Sequence, residues 1–388
     1  MYSVKMAATS FQKKSRSKLF NIPGTRPSLH NNQLLISTGI PSLDNILGGG
    51  TAVGTVVLIE EDTYGSFSNL MLKYFLAEGV MTNQTLFLAT ANESPDNILK
   101  DLPAPIVDDP GASGNMEGGQ EGGTDEKMKI AWRYQHLPQF QSNPTNVRFG
   151  HYYDLTKTME TDLRTSVESH TVDVTQELRL NPEPSDHFIN CSYRCLLRAI
   201  QKRLAKGYTT TDTTQIEKHV MRIGIQSLGS PQWRETRLGS ETSADKSMLK
   251  FLYALRSLVR SSFATCVLTV PTQLFQDEVF TSHIERLCDT VVNLESFAGT
   301  NKETNPAYKE YHGLFHIKAL PRLNALNCHM PDTLDLAFKL KRKKFTIEKL
   351  HLPPELSETS NKEQNNAIVR PSNTTSCGTG ITNSKLDF

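Results

Sequence analysis

The chain has 388 residues, 37% of them hydrophobic and 21% charged, enough for one large soluble domain or two ordinary ones with polar tails. A formal net charge of +1 excludes a global field drawing the protein to nucleic acid or membrane, so any such binding must come from a local patch. No apolar run approaches about 20 residues, which argues against a transmembrane helix, and the basic N-terminus, with Lys5, Lys13, Lys14, Arg16 and Lys18, lacks the apolar stretch of a secretory signal.

Residues 1–30 are basic, Ser-rich and aperiodic, the composition of a disordered tail. Ile40, Leu43, Ile46 and Leu47 then recur at helical spacing, and Gly48, Gly49 and Gly50 end that short helix. The apolar, β-branched run 55–59 reads as a strand buried on both faces. A polar turn from Glu60 to Ser66 follows, and Ser68 or Asn69 is placed to cap the next helix, whose apolar positions include Leu72, Phe75 and Leu76. A second buried strand covers 85–90, and Pro95 opens a short helix through Ile98 and Leu99. From about 104 to 127 the chain fills with Gly, Asp, Glu and Pro, an acidic insertion that cannot bury a core.

Two aromatic knots follow, at 128–134 and 149–155. Each reads as an anchor for chain leaving the insertion, with base stacking as the alternative; His151 reads as a structural hydrogen-bonder. A helix over 188–206 carries Leu196, Leu197, Ile200 and Leu204 on one stripe. Its Cys191 and Cys195 lie one turn apart, but no second Cys/His pair of finger spacing accompanies them, so core packing in a reducing compartment is favoured over a metal site. Further strands are expected at 222–228, 263–270, 290–294 and 313–318, with the clearest helix, Met248 to Val259, before the second of these. Strands alternating with helices predict an α/β fold with a mostly parallel central sheet flanked by helices. The last strands follow one another with little helix between, which predicts a C-terminal antiparallel extension. There Leu336, Phe338 and Leu340 alternate with Ala337, Lys339 and Lys341 as a half-buried strand. The ordered domain is thus expected over 31–352, with a disordered tail at 353–388.

The segment 37–76 carries the chemistry. Strand, tight turn and helix form the frame of a phosphate-binding P-loop, GxxxxGK[ST], whose backbone N–H groups surround phosphates, whose Lys meets the β/γ-phosphates and whose hydroxyl binds magnesium. Counting back from Leu70 puts Glu61 at the first glycine, Thr63 inside the loop, Ser66 at the second glycine and Phe67 at the lysine; only Ser68 keeps its role. Taking Gly65 as the second glycine puts Ser66 at the lysine instead. Neither register supplies the lysine, and Glu60, Glu61 and Asp62 would repel phosphate. The lead-in Ser37-Thr38-Gly39-Ile40-Pro41 through Gly50 resembles the start of RecA-like ATPase domains. Such ATPases place an Asp at the end of strand three to hold magnesium and a carboxylate after strand two to orient water. Here Gln226 stands at the former place, and Asn92-Glu93-Ser94-Pro95 keeps one carboxylate, Glu93, at the latter. Self-contained ATP hydrolysis is not expected. The remaining candidate site is the basic cluster Lys339, Lys341, Arg342, Lys343 and Lys344, in which alternation along a strand would put three lysines on one phosphate-facing row. A lysine-guarded edge strand explains the same pattern.

Several stretches in order, the lead-in, LIEED in place of a P-loop, KYFLAEG (73–79), KIAWRYQ (129–135), RIGIQSLGSP (222–231) and FTIEKLHLPPE (345–355), resemble the PAXNEB family, the fourth subunits of the eukaryotic Elongator complex. That resemblance implies a RecA-like fold without working Walker motifs and no resident cofactor, ATP entering only at ring interfaces. It implies a hetero-hexameric ring with the fifth and sixth Elongator subunits, attachment to the catalytic Elongator subcomplex, and tRNA binding for modification of the wobble uridine at carbon five. It also implies cytoplasmic and nuclear placement and no membrane. The alternative left open is an ATPase working through an unusual loop, or through a site shared between ring protomers with Glu93, to drive tRNA release.

Overall fold

A computed structural model describes residues 22–28, 33–106, 149–180, 189–208, 219–233, 241–323 and 329–351. The basic run 1–21, the acidic insertion from 107, the first aromatic knot and the tail from 352 lie outside the described residues. Structure begins before the expected boundary at residue 30. β1 (Thr25–Pro27) pairs antiparallel with β2 (Leu34–Ile36), which pairs with β3 (Thr51–Ala52). Ile22 is buried, and Arg26 reaches the Gly49 carbonyl at 2.8 Å. Composition marks 22–28 as tail, but these tertiary contacts hold it in the fold.

Between β2 and β3 lies α1 (Pro41–Ile46), and the chain then alternates: β4 (Val56–Glu60), α2 (Ser66–Met81), β5 (Thr85–Thr90), α3 (Pro95–Lys100). β6 (Pro103–Pro105) and β7 (Tyr153–Thr158) form an antiparallel pair, followed by α4 (Thr161–Thr165), β8 (Ser169–Asp173) and α5 (Val174–Leu180). α6 (Cys191–Leu204), β9 (Met221–Ile225), α7 (Glu241–Arg260), β10 (Ala264–Val270), α8 (Glu278–Leu287) and β11 (Thr290–Ser296) complete the alternation. β12 (Gly313–Ala319), β13 (Leu336–Leu340) and β14 (Phe345–Lys349) close it.

The central sheet runs β14-β13-β12-β11-β4-β10-β9-β5-β8. From β11 to β8 all neighbours are parallel, and β12, β13 and β14 extend the sheet antiparallel. The first strand of the alternation, β4, therefore lies at the centre between β10 and β11, the RecA-like arrangement. Side chains alternate across the sheet as the period of two demands. Val57 and Ile59 join the layer built on α2, while Val56 and Leu58 join the layer built on α6, α7 and α8. β8 escapes the sequence reading because Ser-His-Thr-Val-Asp is polar, as suits a sheet edge.

α2 is buried on nearly every side, not on the single stripe its apolar spacing suggests. Its outer face meets Tyr153 at the start of β7, which follows more than forty residues after β6. The lead-in is explained by one buried carboxylate. Asp44 accepts from Ser37 Oγ at 2.5 Å, from Thr38 Oγ1 at 2.7 Å and from Thr38 N–H at 2.8 Å, and its own carbonyl accepts from Gly49 N–H at 2.7 Å. Burial pushes the Asp44 carboxyl up despite these donors. Gly39 has φ of +84°, and a Cβ there would stand 2.3 Å from the Tyr74 carbonyl oxygen. Gly39→Ala is therefore expected to destabilise the domain by about 2 kcal/mol or more, read as a lower urea midpoint at unchanged slope; a midpoint equal to the parent's would refute this packing argument.

Candidate functional site

The turn between β4 and α2 keeps the shape of a phosphate cradle and fills it from within. α2 starts at Ser66, and Gly65 precedes it at φ 67°. The Asp62 carboxylate accepts from Ser66 N–H at 3.0 Å and from Phe67 and Ser68 N–H at 3.1 Å each. These are the unsatisfied donors of a helix N-terminus, which in a P-loop point at phosphate. Asp62 is 1% exposed. The cap expected from Ser68 or Asn69 is thus supplied by Asp62, and Ser68 Oγ instead donates to the Gly65 carbonyl at 3.1 Å.

The neighbouring acidic groups are also held by the protein. Glu61 accepts from Thr269 Oγ1 at 2.7 Å and from Ser227 Oγ at 2.8 Å, and burial pushes its carboxyl up. Glu60, where burial likewise raises the carboxyl, accepts from Lys318 Nζ at 2.8 Å and Asn293 Nδ2 at 2.7 Å. Phe67, in the lysine's place, packs its ring 4.6 Å from Phe338 of β13 and 6.2 Å from Phe345 of β14. Thr63 and Tyr64 are exposed at the tip.

Gln226, at the end of β9, donates from Nε2 to Glu93 Oε1 at 2.7 Å and to Asn69 Oδ1 at 3.1 Å, and its Oε1 accepts from Thr90 Oγ1 at 2.7 Å. The amide saturates the place where a magnesium-bound water would be held and ties down the surviving carboxylate, which is exposed. These residues do not fit a nucleoside triphosphate with its metal: the cradle holds a carboxylate, the hydroxyl is turned to the backbone, and the lysine and metal-facing Asp are replaced.

The basic cluster departs from the expected row. β13 ends at Leu340, and Lys341 to Lys344 form the hairpin to β14, closed by Lys341 N–H to Lys344 C=O at 2.9 Å and Lys344 N–H to Lys341 C=O at 3.1 Å. The turn ends the alternation, so Lys339, Lys341 and Lys343 share no strand face. Lys339 is buried and paired with Glu348, whose hydrogen bond holds its ammonium above the ordinary lysine value. Lys343 lies 3.6 Å from Asp154. Lys341, Arg342 and Lys344 are the exposed cations of the hairpin without an ion pair among the described residues. The half-buried strand is also more covered than alternation predicts, since Leu336, Ala337, Phe338 and Lys339 are all buried.

The sequence model of the PAXNEB family, described as PAXNEB protein, matches residues 18–388. The chain belongs to the PAXNEB family. It is 47% identical over 381 residues to Elongator complex protein 4 of Xenopus laevis, covering 96% of this chain and 93% of that protein. It is 49% identical to the protein of that name from Danio rerio, over 90% and 89% of the two chains. To the Saccharomyces cerevisiae protein of that name it is 26% identical, over 87% of this chain and 77% of that one.

In this PAXNEB chain the residue that the sequence reading passed over is Asp62. Three consecutive carboxylates read as repulsion toward phosphate, yet an Asp four residues ahead of a helix start is also placed to capture that helix's free N–H groups. The second aromatic knot does anchor the chain. His151 Nδ1 lies 3.1 Å from Glu78 Oε1, and Tyr153 Oη donates to Glu78 Oε2 at 2.7 Å.

Proposed function

We propose that this chain is an Elongator subunit: a non-catalytic RecA-like member of a hexameric accessory ring with the fifth and sixth subunits, joined to the catalytic subcomplex and helping to hold tRNA while its wobble uridine is modified at carbon five. The relatives' shared name supports membership of the complex. The observation that carries the non-catalytic part is the Asp62 carboxylate on the three N–H groups where phosphate would sit. Work in the cytoplasm and nucleus fits this reading. Among the described residues no helix is long and apolar enough to cross a membrane.

The test measures ATP hydrolysis and tRNA binding together, for the chain alone and then mixed with its two ring partners. The chain alone is expected to be inert, and the ring to bind tRNA with an affinity that falls steeply with salt. ATP turnover by the chain alone that disappears in Ser68→Ala protein would overturn the non-catalytic reading. So would loss of the ring's turnover on Glu93→Gln, which would assign this subunit a shared catalytic site.

A further inference from the structure

The basic run and the second aromatic knot, almost two hundred residues apart in sequence, meet in space. Leu155 N–H donates to the Lys343 carbonyl at 3.1 Å, and Lys344 Nζ stands 4.9 Å from the centroid of the Tyr152 ring. Between them and α1 opens a pocket of about 230 Å³, lined by Ser42 and Asn45, by Tyr74 of α2, by His151 and Tyr152, and by Lys344. This is smaller than the roughly 300 Å³ at which drug-sized sites begin, and suits one planar ring system.

Ser42 Oγ already accepts from Ile347 N–H at 3.1 Å, but three other polar groups keep hydrogen-bonding capacity. Among the described residues the Asn45 amide has no hydrogen-bond partner, so it offers both a donor and an acceptor. Among the described residues the His151 ring gives Nδ1 to Glu78 and keeps Nε2 unengaged, and the Tyr74 hydroxyl accepts from Phe345 N–H at 3.3 Å with no acceptor for its own proton. The walls are fixed before any ligand arrives. Tyr74 and Tyr153 pack edge to face at 5.6 Å, and the buried Glu78 carboxylate holds both His151 and Tyr153. Rigid aromatic walls with free hydrogen-bonding edges recognise an unstacked base, and exposed Lys341, Arg342 and Lys344 beside them meet a phosphate backbone. A duplex presents stacked bases that cannot enter such a pocket, and an acidic peptide would leave its aromatic walls and amide idle.

We propose that this pocket takes one unpaired nucleotide of single-stranded RNA, with its base among Tyr74, His151 and Asn45 and its phosphates on Lys344 and the hairpin tip. The proposal rests on the reading that this subunit helps hold tRNA, and names which part it holds: an unpaired segment. The test uses the full chain assembled with its ring partners and follows the anisotropy of labelled tRNA, of a single-stranded RNA and of an RNA duplex of equal length, at fixed salt. Asn45→Ala and Lys344→Ala are each expected to weaken single-stranded binding about tenfold and duplex binding less than twofold. Only Lys344→Ala should reduce the salt slope, by about 1. Both side chains are exposed, so neither change threatens the core. Unchanged single-stranded binding in both variants, equal losses on duplex and single strand, or displacement of the RNA by an acidic peptide with the same sensitivity to Asn45→Ala would overturn the pocket. If the unaltered complex binds no tRNA, it is the functional reading that fails.

Discussion

Asp62→Ala protein is expected to be about 2 kcal/mol less stable than its parent, because three backbone donors at the start of α2 lose a charged acceptor. The carboxylate is 1% exposed and spans Ser66, Phe67 and Ser68 N–H within 3.1 Å. Asp62→Asn keeps one acceptor oxygen without the charge and should fall between the two. Thermal unfolding in sulfate separates a phosphate-shaped cradle from an ordinary cap. Sulfate stabilises proteins generally by exclusion from the surface, so the informative quantity is the extra gain of the alanine variant over the parent. An extra gain means the vacated cradle takes an anion, as a helix N-terminus with free donors should. Equal melting of parent and variant would show that Asp62 does not hold the loop, and the proposal that this subunit is non-catalytic would lose its main support.

The parts of this fold written in local periodicity are legible in the sequence. The central strands at 56–60, 85–90 and 264–270 are largely apolar, β-branched or aromatic runs and stand in the parallel sheet, as does 290–296 with its apolar start. The antiparallel C-terminal strands are also legible, because almost no helix separates them. What resists reading is whatever depends on residues far apart. β8 looks like loop because an edge strand needs no apolar face, and β1 looks like tail because its hairpin with β2 is short and its side-chain anchor, Arg26 on the Gly49 carbonyl, lies 23 residues on. The lysine row fails because KLKRKK hides a turn: nothing in five cations says where a hairpin folds back, whereas the hydrogen bonds between Lys341 and Lys344 do. The missing P-loop lysine is plain in the sequence. The replacement of phosphate by a side chain is not, since it depends on the geometry of one carboxylate.

The largest single effect is expected beneath α2, where a guanidinium and a carboxylate are both sealed inside the domain. Arg222 on β9 is fully buried; its Nε donates to Gln84 Oε1 at 2.7 Å, and its Nη1 donates to the Ser37 and Phe75 carbonyls at 2.8 and 3.1 Å. Its side chain crosses the helix at Gly79, where a Cβ would stand 2.8 Å from Arg222 Cδ. Burial alone would raise the Glu78 carboxyl, but the His151 hydrogen bond and the positive charge of Arg222, with the His151 ring and the Tyr153 hydroxyl beside it, outweigh it and hold it below the ordinary glutamate value. Arg222→Met removes the cation and its hydrogen bonds to Gln84, Ser37 and Phe75, and takes a favourable charge away from Glu78, which His151 and Tyr153 still hold, a loss of about 3 kcal/mol or more. Glu78→Gln alone should cost less, and the double variant should be more stable than the sum of the single losses by about 1 kcal/mol, because the second change removes the buried charge whose attraction to Arg222 the first had taken away. Additive losses would mean that the two groups do not sense each other. The pH dependence has a fixed sign. A carboxyl depressed in the folded state contributes stability that is complete above its unfolded pKa and is lost as pH falls through the folded value. The stability difference between the parent and Glu78→Gln should therefore shrink as pH falls through and below the ordinary glutamate range. Denaturant titrations at neutral and acidic pH measure it, and a difference that grows on acidification would reverse the assignment of Glu78 as ionised in the folded protein.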